Sequence, residues 1–170
     1  ARQSGKTTFL KEYVKNLKAS YLLFDDPDIR ALFEEDIKKF EIQYMKNADI
    51  FIFDEVQYCK NAGRNLKYLA DTGKKMLVTA SSEIILSKEV LSYLVGRVSI
   101  IKLYPFSIKE FLDAQGKREF TKQSFERTVW EHIVYGGYPK VVLTEDIELK
   151  KTILKDIYET MILKDISRTF

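Results

Sequence analysis

The first ten residues, ARQSGKTTFL (residues 1–10), lead from a glycine-containing turn directly into a helical pattern. The sequence G-x-x-x-x-G-K-[ST] requires a glycine five positions before Gly5, which falls one residue ahead of Ala1. The stretch therefore matches every part of that pattern except its first glycine. Gly5, Lys6 and Thr7 stand before apolar residues that recur at helical spacing, namely Phe9, Leu10, Tyr13, Val14 and Leu17.

Three residues of this stretch suit contacts with phosphate. Gly5 lets backbone N–H groups approach phosphate oxygens, the Lys6 ammonium can reach terminal phosphates, and the Thr7 hydroxyl can ligate Mg²⁺. The predicted helix directs its N-terminus at the same point, as anion binding requires. Because Gly-Lys-Thr also occurs in ordinary loops, the stretch by itself leaves both interpretations open.

The composition predicts a globular protein and argues against a basic nucleic-acid binder. The 170 residues suit one domain, or one domain plus part of a second, and a hydrophobic content of 45% supports a real core. Lys and Arg outnumber Asp and Glu by only 28 to 25, and the charges are interspersed. No basic face for nucleic acid is indicated.

Further features predict a cytoplasmic protein. The single cysteine, Cys59, excludes an internal disulfide and fits a reducing compartment. No apolar stretch is long enough to span a bilayer, and the N-terminus lacks a secretory pattern. Because the chain starts inside one motif and ends inside an amphipathic pattern, we expect it to be an excerpt of a longer protein with two artificial ends.

Short apolar runs predict four buried strands, with helical patterns between them. Alternating strands and helices indicate an α/β fold with a parallel sheet covered on both faces. Function is then expected at the carboxyl ends of the strands. The predicted strands are residues 21–24, 50–53, 76–78 and 98–103.

The pattern changes after Leu103. The segment Tyr104-Pro105-Phe106-Ser107 breaks the last predicted strand, Ser107 suits a helix cap, and every later pattern is helical. We therefore expect an α/β domain over residues 1–104, truncated at its N-terminus. A helical subdomain over residues 105–170, truncated at its C-terminus, is expected to follow.

Two acids follow the second predicted strand, at the edge where ligands bind. In this position Asp54 can hold Mg²⁺ through water, and Glu55 can polarise an attacking water. Since adjacent strand residues point to opposite faces, we expect Asp54 to turn toward Thr7 and Glu55 toward the γ-phosphate. A solvated acidic turn explains either acid alone, but the order of these acids after Gly-Lys-Thr makes chance a poor explanation.

A third signal ends the third predicted strand. The segment Thr79-Ala80-Ser81-Ser82 places small hydroxyl residues where they can touch a γ-phosphate or its water. A plain transition from strand to loop is the alternative.

Taken in order, these motifs resemble the prokaryotic AAA-superfamily P-loop ATPases known as AAA domain family fourteen, which are often followed by a C-terminal domain of unknown function. The resemblance covers nearly the whole chain. It rests on residues 2–8, 23–27, 53–57, 79–82, 96–98, 104–107 with 110–111, 136–139, and 158–160 with 164–166.

The resemblance implies a P-loop fold that binds ATP and depends on Mg²⁺. It implies that Lys6 and Glu55 are catalytic and that Thr7 and Asp54 hold the metal. Two departures matter: the first loop glycine and the strand before it, expected at the centre of the sheet, are absent here, and Ala80 stands where the family usually has glycine. The implied nucleotide contacts are Gln3, Ser4, Gly5, Lys6, Thr7, Thr8 and, near the sensor position, Ser81.

Arg97 is a further catalytic candidate. It follows Gly96, where related ATPases place a cation that stabilises transition-state charge in the same subunit or in a neighbour. A surface arginine paired with a local acid is the alternative. Asp25 and Asp26, which precede Pro27, are either a turn-forming pair or a supporting contact near the metal.

Two functional hypotheses follow. The first is an Mg²⁺-dependent ATPase that hydrolyses ATP to ADP and phosphate as a molecular switch. The second is a non-catalytic interaction module of the same fold that docks a partner, DNA among the candidates, through its C-terminal helices. We expect a protein partner or downstream domain and no membrane, while the charge does not support nucleic acid. His132, Cys59 and Trp130 are expected to have no chemical role, with Trp130 serving in packing.

Overall fold

The structure is a computed structural model, and it describes residues 3–56, 59–80, 88–114, 116 and 121–169. The strands of this part of the chain are β1 (Ala19–Leu23), β2 (Ile50–Asp54) and β3 (Met76–Val78). Its helices are α1 (Lys6–Tyr13), α2 (Pro27–Glu35), α3 (Ile37–Tyr44), α4 (Ala62–Asp71), α5 (Lys88–Tyr93), α6 (Ile108–Ala114), α7 (Lys122–Tyr135), α8 (Pro139–Val142) and α9 (Ile147–Thr169).

The three strands form one parallel sheet in the order β1-β2-β3. Leu23 on β1 is paired with Asp54 on β2, and Phe53 on β2 is paired with Val78 on β3. Each crossover between consecutive strands contains a helix, as parallel strands require. The predicted α/β fold with a parallel sheet flanked by helices is confirmed, and all three strands end at the edge that carries Asp54.

The fourth predicted strand is wrong. Residues 98–103 have no strand assignment, and Ile101 is 86% exposed. A strand is stabilised by a ladder of backbone hydrogen bonds to a neighbour, and an apolar run cannot supply that neighbour by itself. Residues 98–101 do not join the sheet of the described chain.

Burial on both faces holds for the central strand alone. On β2, Phe51, Ile52 and Phe53 are all buried, and since consecutive strand residues point to opposite faces, both faces of β2 are covered. On β1, Leu22 is buried but Tyr21 is 36% exposed. The predicted two-sided burial of residues 21–24 is therefore wrong, because β1 is an edge strand of the described sheet and one of its faces is only partly covered.

The described residues between positions 6 and 101 form one compact unit with an aromatic core. Phe24, Phe33, Phe40 and Phe53 are fully buried, and the Phe24 and Phe33 rings meet edge to face with centroids 4.9 Å apart. Pairs of this geometry contribute about 0.5–1.5 kcal/mol beyond the area they bury. The cluster packs β2 against α2 and α3 and so holds the strand that carries Asp54.

The other unit groups the described parts of residues 1–5 and 102–170. Its core contains Val141, Ile153 and Ile157, and the buried Lys150 forms an ion pair with Glu131. The domain boundary between residues 104 and 105 stays a prediction. Trp130 on α7 is 65% exposed, so the expectation that it serves in packing is wrong for this unit.

Two of the sequence motifs meet within the helical unit. The Phe106 N–H donates to the Gly137 carbonyl at 2.7 Å, and a Cβ atom on Gly137 would overlap the backbone of Phe106. Ser107 caps α6 as predicted: its backbone N–H and hydroxyl both donate to Glu110 at 2.8 Å, and the Glu110 N–H donates back at 3.3 Å. The segments 104–107 and 136–139 therefore pack against each other through a close backbone contact between Phe106 and Gly137.

Within the described ranges, no helix is both long enough and apolar enough to cross a membrane.

Candidate functional site

The predicted phosphate loop leads into a helix as expected. Gly5 has a φ of 86°, a left-handed conformation that favours glycine, and α1 begins at the next residue, Lys6. The first turn of α1 contains no acidic residue of its own. Gln3 also has a positive φ of 55°, Ser4 is buried, and Thr8 lies in the first turn of α1.

The structure brings Thr7 and Asp54 together. The Thr7 hydroxyl donates to Asp54 Oδ2 at 3.0 Å although 47 positions separate the two residues. Thr7 lies at the start of α1 and Asp54 at the end of β2, so the contact joins the N-terminus of α1 to the strand edge. Lys6 is also close enough for its charge to favour ionised Asp54.

Two further hydroxyls bind Asp54, and the sequence analysis did not assign either of them to it. Tyr21 donates to Oδ2 and Thr79 donates to Oδ1. Tyr21 lies two positions before Leu23, the register partner of Asp54, and therefore shares the face of the sheet on which Asp54 projects. A tyrosine on the strand next to β2 was the sequence feature that could have indicated a hydroxyl partner for Asp54. Residues 79–82 were predicted either to offer hydroxyls to a γ-phosphate or its water, or to be a plain transition to a loop; the Thr79 hydroxyl donates to Asp54.

These donors keep Asp54 ionised. Burial raises the pKa of Asp54 and is the largest single influence, but the hydroxyls of Thr79, Tyr21 and Thr7 together with the charge of Lys6 outweigh it, so the pKa lies below its usual value. Burial, and then the hydrogen bond to Asp54, raise the pKa of Tyr21. The phenol therefore stays a donor and the carboxylate stays an acceptor.

Glu55 leaves the strand in an unusual conformation. Its φ is 64°, in the left-handed region that residues with a side chain seldom adopt. Its N–H donates to the Thr79 hydroxyl at 3.2 Å, and its side chain is half-buried. Because β2 ends at Asp54, strand alternation does not fix the direction of Glu55, and its orientation toward a γ-phosphate stays a prediction.

The structure does not bring Arg97 to Asp54. The Arg97 guanidinium pairs with Asp71 at 2.6 Å and donates to the Val95 carbonyl at 3.2 Å. Asp71 ends α4 shortly before β3 begins, which places it toward the edge where the strands start. The contacts match the alternative of an arginine paired with a local acid, and a role on a neighbouring subunit stays a prediction.

The remaining candidates have structural explanations or lie outside the described residues. Asp26 caps α2 by accepting from the N–H groups of Asp28 and Ile29 at 2.9 and 3.4 Å. Burial, and then the charge of Glu34, raise the pKa of the Cys59 thiol to about 12, as expected of an unreactive cysteine. Ser81 and Ser82 are not among the described residues.

The oxygen atoms of Thr7 and Asp54 suit a hard cation such as Mg²⁺. Proteins usually bind Mg²⁺ through oxygen ligands that include only one or two carboxylates, while waters and substrate phosphates complete the shell. Thr7 and Asp54 supply this small set. In the part of the chain that the structure describes, no group of three or more His, Cys, Asp or Glu residues gathers to hold a metal.

Comparison with known proteins identifies the family. Residues 1–112 match the family AAA_14, which is described as an AAA domain. The chain belongs to this AAA domain family. The AAA domain is a P-loop nucleotide-binding module, which agrees with the loop, the helix and the acidic strand end at Asp54.

Two prokaryotic proteins are similar to this chain over nearly its whole length. An uncharacterized protein of Methanocaldococcus jannaschii is 32% identical over 97% of this chain, and one of Haemophilus influenzae is 28% identical over 98%. The match with this chain spans 40% of the length of the first relative and 44% of the length of the second.

Among solved structures, domain III of the Thermotoga maritima replication initiation protein DnaA is 19% identical. It superimposes with a TM-score of 0.44, and the match covers 89% of this chain and 79% of that one.

Proposed function

We propose that this AAA domain binds ATP with Mg²⁺ and hydrolyses it to ADP and phosphate, acting as a molecular switch. The hydrogen bond between Thr7 and Asp54 carries the proposal. It places an ionised carboxylate beside the hydroxyl at the N-terminus of α1, where phosphate and its cation would meet.

Each residue has a chemical task in this proposal. The backbone N–H groups at the start of α1 and the Lys6 ammonium hold phosphate oxygens. The Thr7 hydroxyl and Asp54 hold Mg²⁺, which when bound neutralises charge on the phosphates. Glu55 accepts a hydrogen bond from the attacking water and orients it. Contacts from Gln3, Ser4, Thr8 and Ser81 remain predictions, as does a cytoplasmic location.

Calorimetry of the full chain with Mg²⁺-ATP tests binding. Lys6→Ala removes a charge-assisted contact, so we expect a loss of roughly 1.5–3 kcal/mol, or about ten- to a hundredfold in affinity. Lys15→Ala is the matched control, because Lys15 is exposed and pairs with Glu12 at 3.1 Å. Equal affinity in the wild type and Lys6→Ala contradicts the assignment of the loop.

Phosphate release tests hydrolysis. We expect Glu55→Gln to lower the rate by about a hundredfold or more, the usual contribution of a positioned base, and to leave ATP affinity within about threefold. If the wild type binds ATP without releasing phosphate, the non-catalytic interaction module is the better description.

A further inference from the structure

Thr79 is hydrogen-bonded to every residue from Phe53 to Val56. Its N–H donates to the Phe53 carbonyl at 2.9 Å, and its carbonyl accepts from the Val56 N–H at 3.3 Å. Its hydroxyl donates to Asp54 Oδ1 and accepts from the Glu55 N–H at 3.2 Å. The side chain is buried, so water does not readily replace these contacts.

The two hydroxyl bonds fix different parts of the site at once. A threonine hydroxyl has one proton to donate and can accept in addition. Here the proton goes to the Asp54 carboxylate, and a lone pair receives the N–H of Glu55. One oxygen therefore sets the orientation of a carboxylate and the backbone of the next residue.

The backbone of Glu55 needs such a partner. Its φ of 64° lies in the left-handed region, which is unfavourable for a residue with a side chain. Strained residues of this kind persist where surrounding contacts over-determine them. The hydrogen bond to the Thr79 hydroxyl and the neighbouring bond from Val56 to the Thr79 carbonyl supply those contacts.

We propose that Thr79 is a positioning residue whose single hydroxyl aims both acids of the site, Asp54 through its carboxylate and Glu55 through its backbone. This inference rests on the proposed ATPase function. Thr79 acts through the two acids and need not touch nucleotide. Loss of its hydroxyl lets the Asp54 carboxylate rotate and lets Glu55 relax away from its strained conformation.

Two substitutions separate the hydroxyl from the shape of the side chain. Thr79→Val has nearly the same volume but neither donates nor accepts, whereas Thr79→Ser keeps both hydrogen bonds. Displacing a water-orienting group costs on the order of ten- to a hundredfold in rate. We therefore expect the valine variant to lose that much in kcat and to raise KM for Mg²⁺-ATP through the freed Asp54 carboxylate, and the serine variant to recover most of both.

A double-mutant cycle tests whether the effect passes through Glu55. In a Glu55→Gln background the water-orienting carboxylate is already gone and only the contact with Asp54 remains, so we expect Thr79→Val to lower kcat by clearly less than it does in the wild type. A full additional loss in this background contradicts positioning through Glu55. Thr128→Val is the matched control for a missing buried hydroxyl, because Thr128 is also buried and bonds the Ser124 carbonyl at 2.9 Å in the other unit.

A measurement on the nucleotide-free chain keeps this inference separate from the ATPase proposal. Loss of the acceptor should speed hydrogen exchange of the Glu55 amide by about tenfold in Thr79→Val, and not in Thr79→Ser or Thr128→Val. Unchanged exchange in a folded Thr79→Val protein overturns the positioning role even if ATP is hydrolysed. Faster exchange without any wild-type ATP turnover supports the contact and rejects the ATPase instead.

Discussion

The Thr7 hydroxyl on α1 and Asp54 Oδ2 at the end of β2 lie 3.0 Å apart. The bond connects two segments that are distant in the chain. The start of α1 offers the proposed phosphate contacts, and the end of β2 offers the carboxylate of the proposed cation site. Because Asp54 is buried and its pKa is lowered, Thr7 donates to a charged acceptor. A hydrogen bond of this type is among the stronger ones in proteins.

Replacement of Thr7 should weaken binding only when the cation is present. Thr7→Val keeps the β-branched shape and similar helix propensity but removes the hydroxyl. We expect ATP affinity to fall about tenfold in the presence of Mg²⁺ and to change little in EDTA, with Thr7→Ser close to the wild type. Calorimetry in both buffers checks this. An equal loss in EDTA would mean that Thr7 acts on phosphate or on the fold.

Tyr21→Phe should produce a stability loss that depends on pH. The folded-state pKa of Asp54 lies below its usual value, so ionised Asp54 stabilises the fold above that usual value, and the contribution is lost as the pH falls through the folded-state pKa. We expect the variant to lower the free energy of unfolding by about 1–3 kcal/mol at pH 7, and the deficit to shrink below about pH 4. Urea unfolding across this range measures it.

The exposed Tyr13 on α1 provides the control for that series. Tyr13→Phe should stay within about 0.5 kcal/mol of the wild type at every pH. A deficit in Tyr21→Phe that is the same at pH 3 and pH 7 would show that the phenol supports packing and not the charge of Asp54.

The Arg97 and Asp71 pair should contribute little to stability. Both side chains are substantially exposed, and exposed pairs of this kind contribute about 0.2–1 kcal/mol. A double-mutant cycle with Arg97→Ala and Asp71→Asn, read by urea unfolding, should give a coupling energy in that range. A coupling energy well above it would contradict a solvent-screened pair.

The variants Arg97→Ala and Asp71→Asn also test whether Arg97 only pairs with Asp71 or acts on the nucleotide of a neighbouring subunit. At protein concentrations where the chain acts alone, we expect ATP hydrolysis by both variants to remain within about twofold of the wild type, since neither touches Asp54. A loss confined to Arg97→Ala, and growing with protein concentration, would instead place this arginine at the nucleotide of another subunit.

Alanine substitutions of the adjacent Gly136 and Gly137 should lower the free energy of unfolding by different amounts, because each glycine is required for a different reason. Gly136 has a φ of 71° and a ψ of −169°, a region that essentially only glycine adopts, with open space around it, so Gly136→Ala should cost about 1–3 kcal/mol of backbone strain. At Gly137 a methyl group would overlap the Phe106 backbone, so Gly137→Ala should cost about 3 kcal/mol or more, at the upper end of overpacking. Thermal unfolding ranks the two, and the reverse order would contradict the close approach.

Local signals in the sequence explain why part of the site was predictable. Gly5, Lys6 and Thr7 stand directly before a helical pattern, and Asp54 follows a continuous apolar strand, so each position can be inferred from its neighbours alone. The contribution of Tyr21 was not predictable in this way, because it depends on the register between β1 and β2. The pairing of Arg97 with Asp71 was not predictable for the same reason, since the packing of the described unit decides which acid lies beside Arg97.

What the sequence by itself determined is the helix after Gly5, the three strands that pair, and the strand ends at which chemistry can occur. Apolar runs of strand length, helical periodicity and glycine at a positive φ act over a few residues, so they are readable without knowledge of the fold. The tertiary structure alone decided that Thr7, Tyr21 and Thr79 converge on one carboxylate, and that residues 98–103 do not form a strand. These outcomes depend on partners distant in the chain, because hydrogen bonds and ladders exist only between groups that folding brings together.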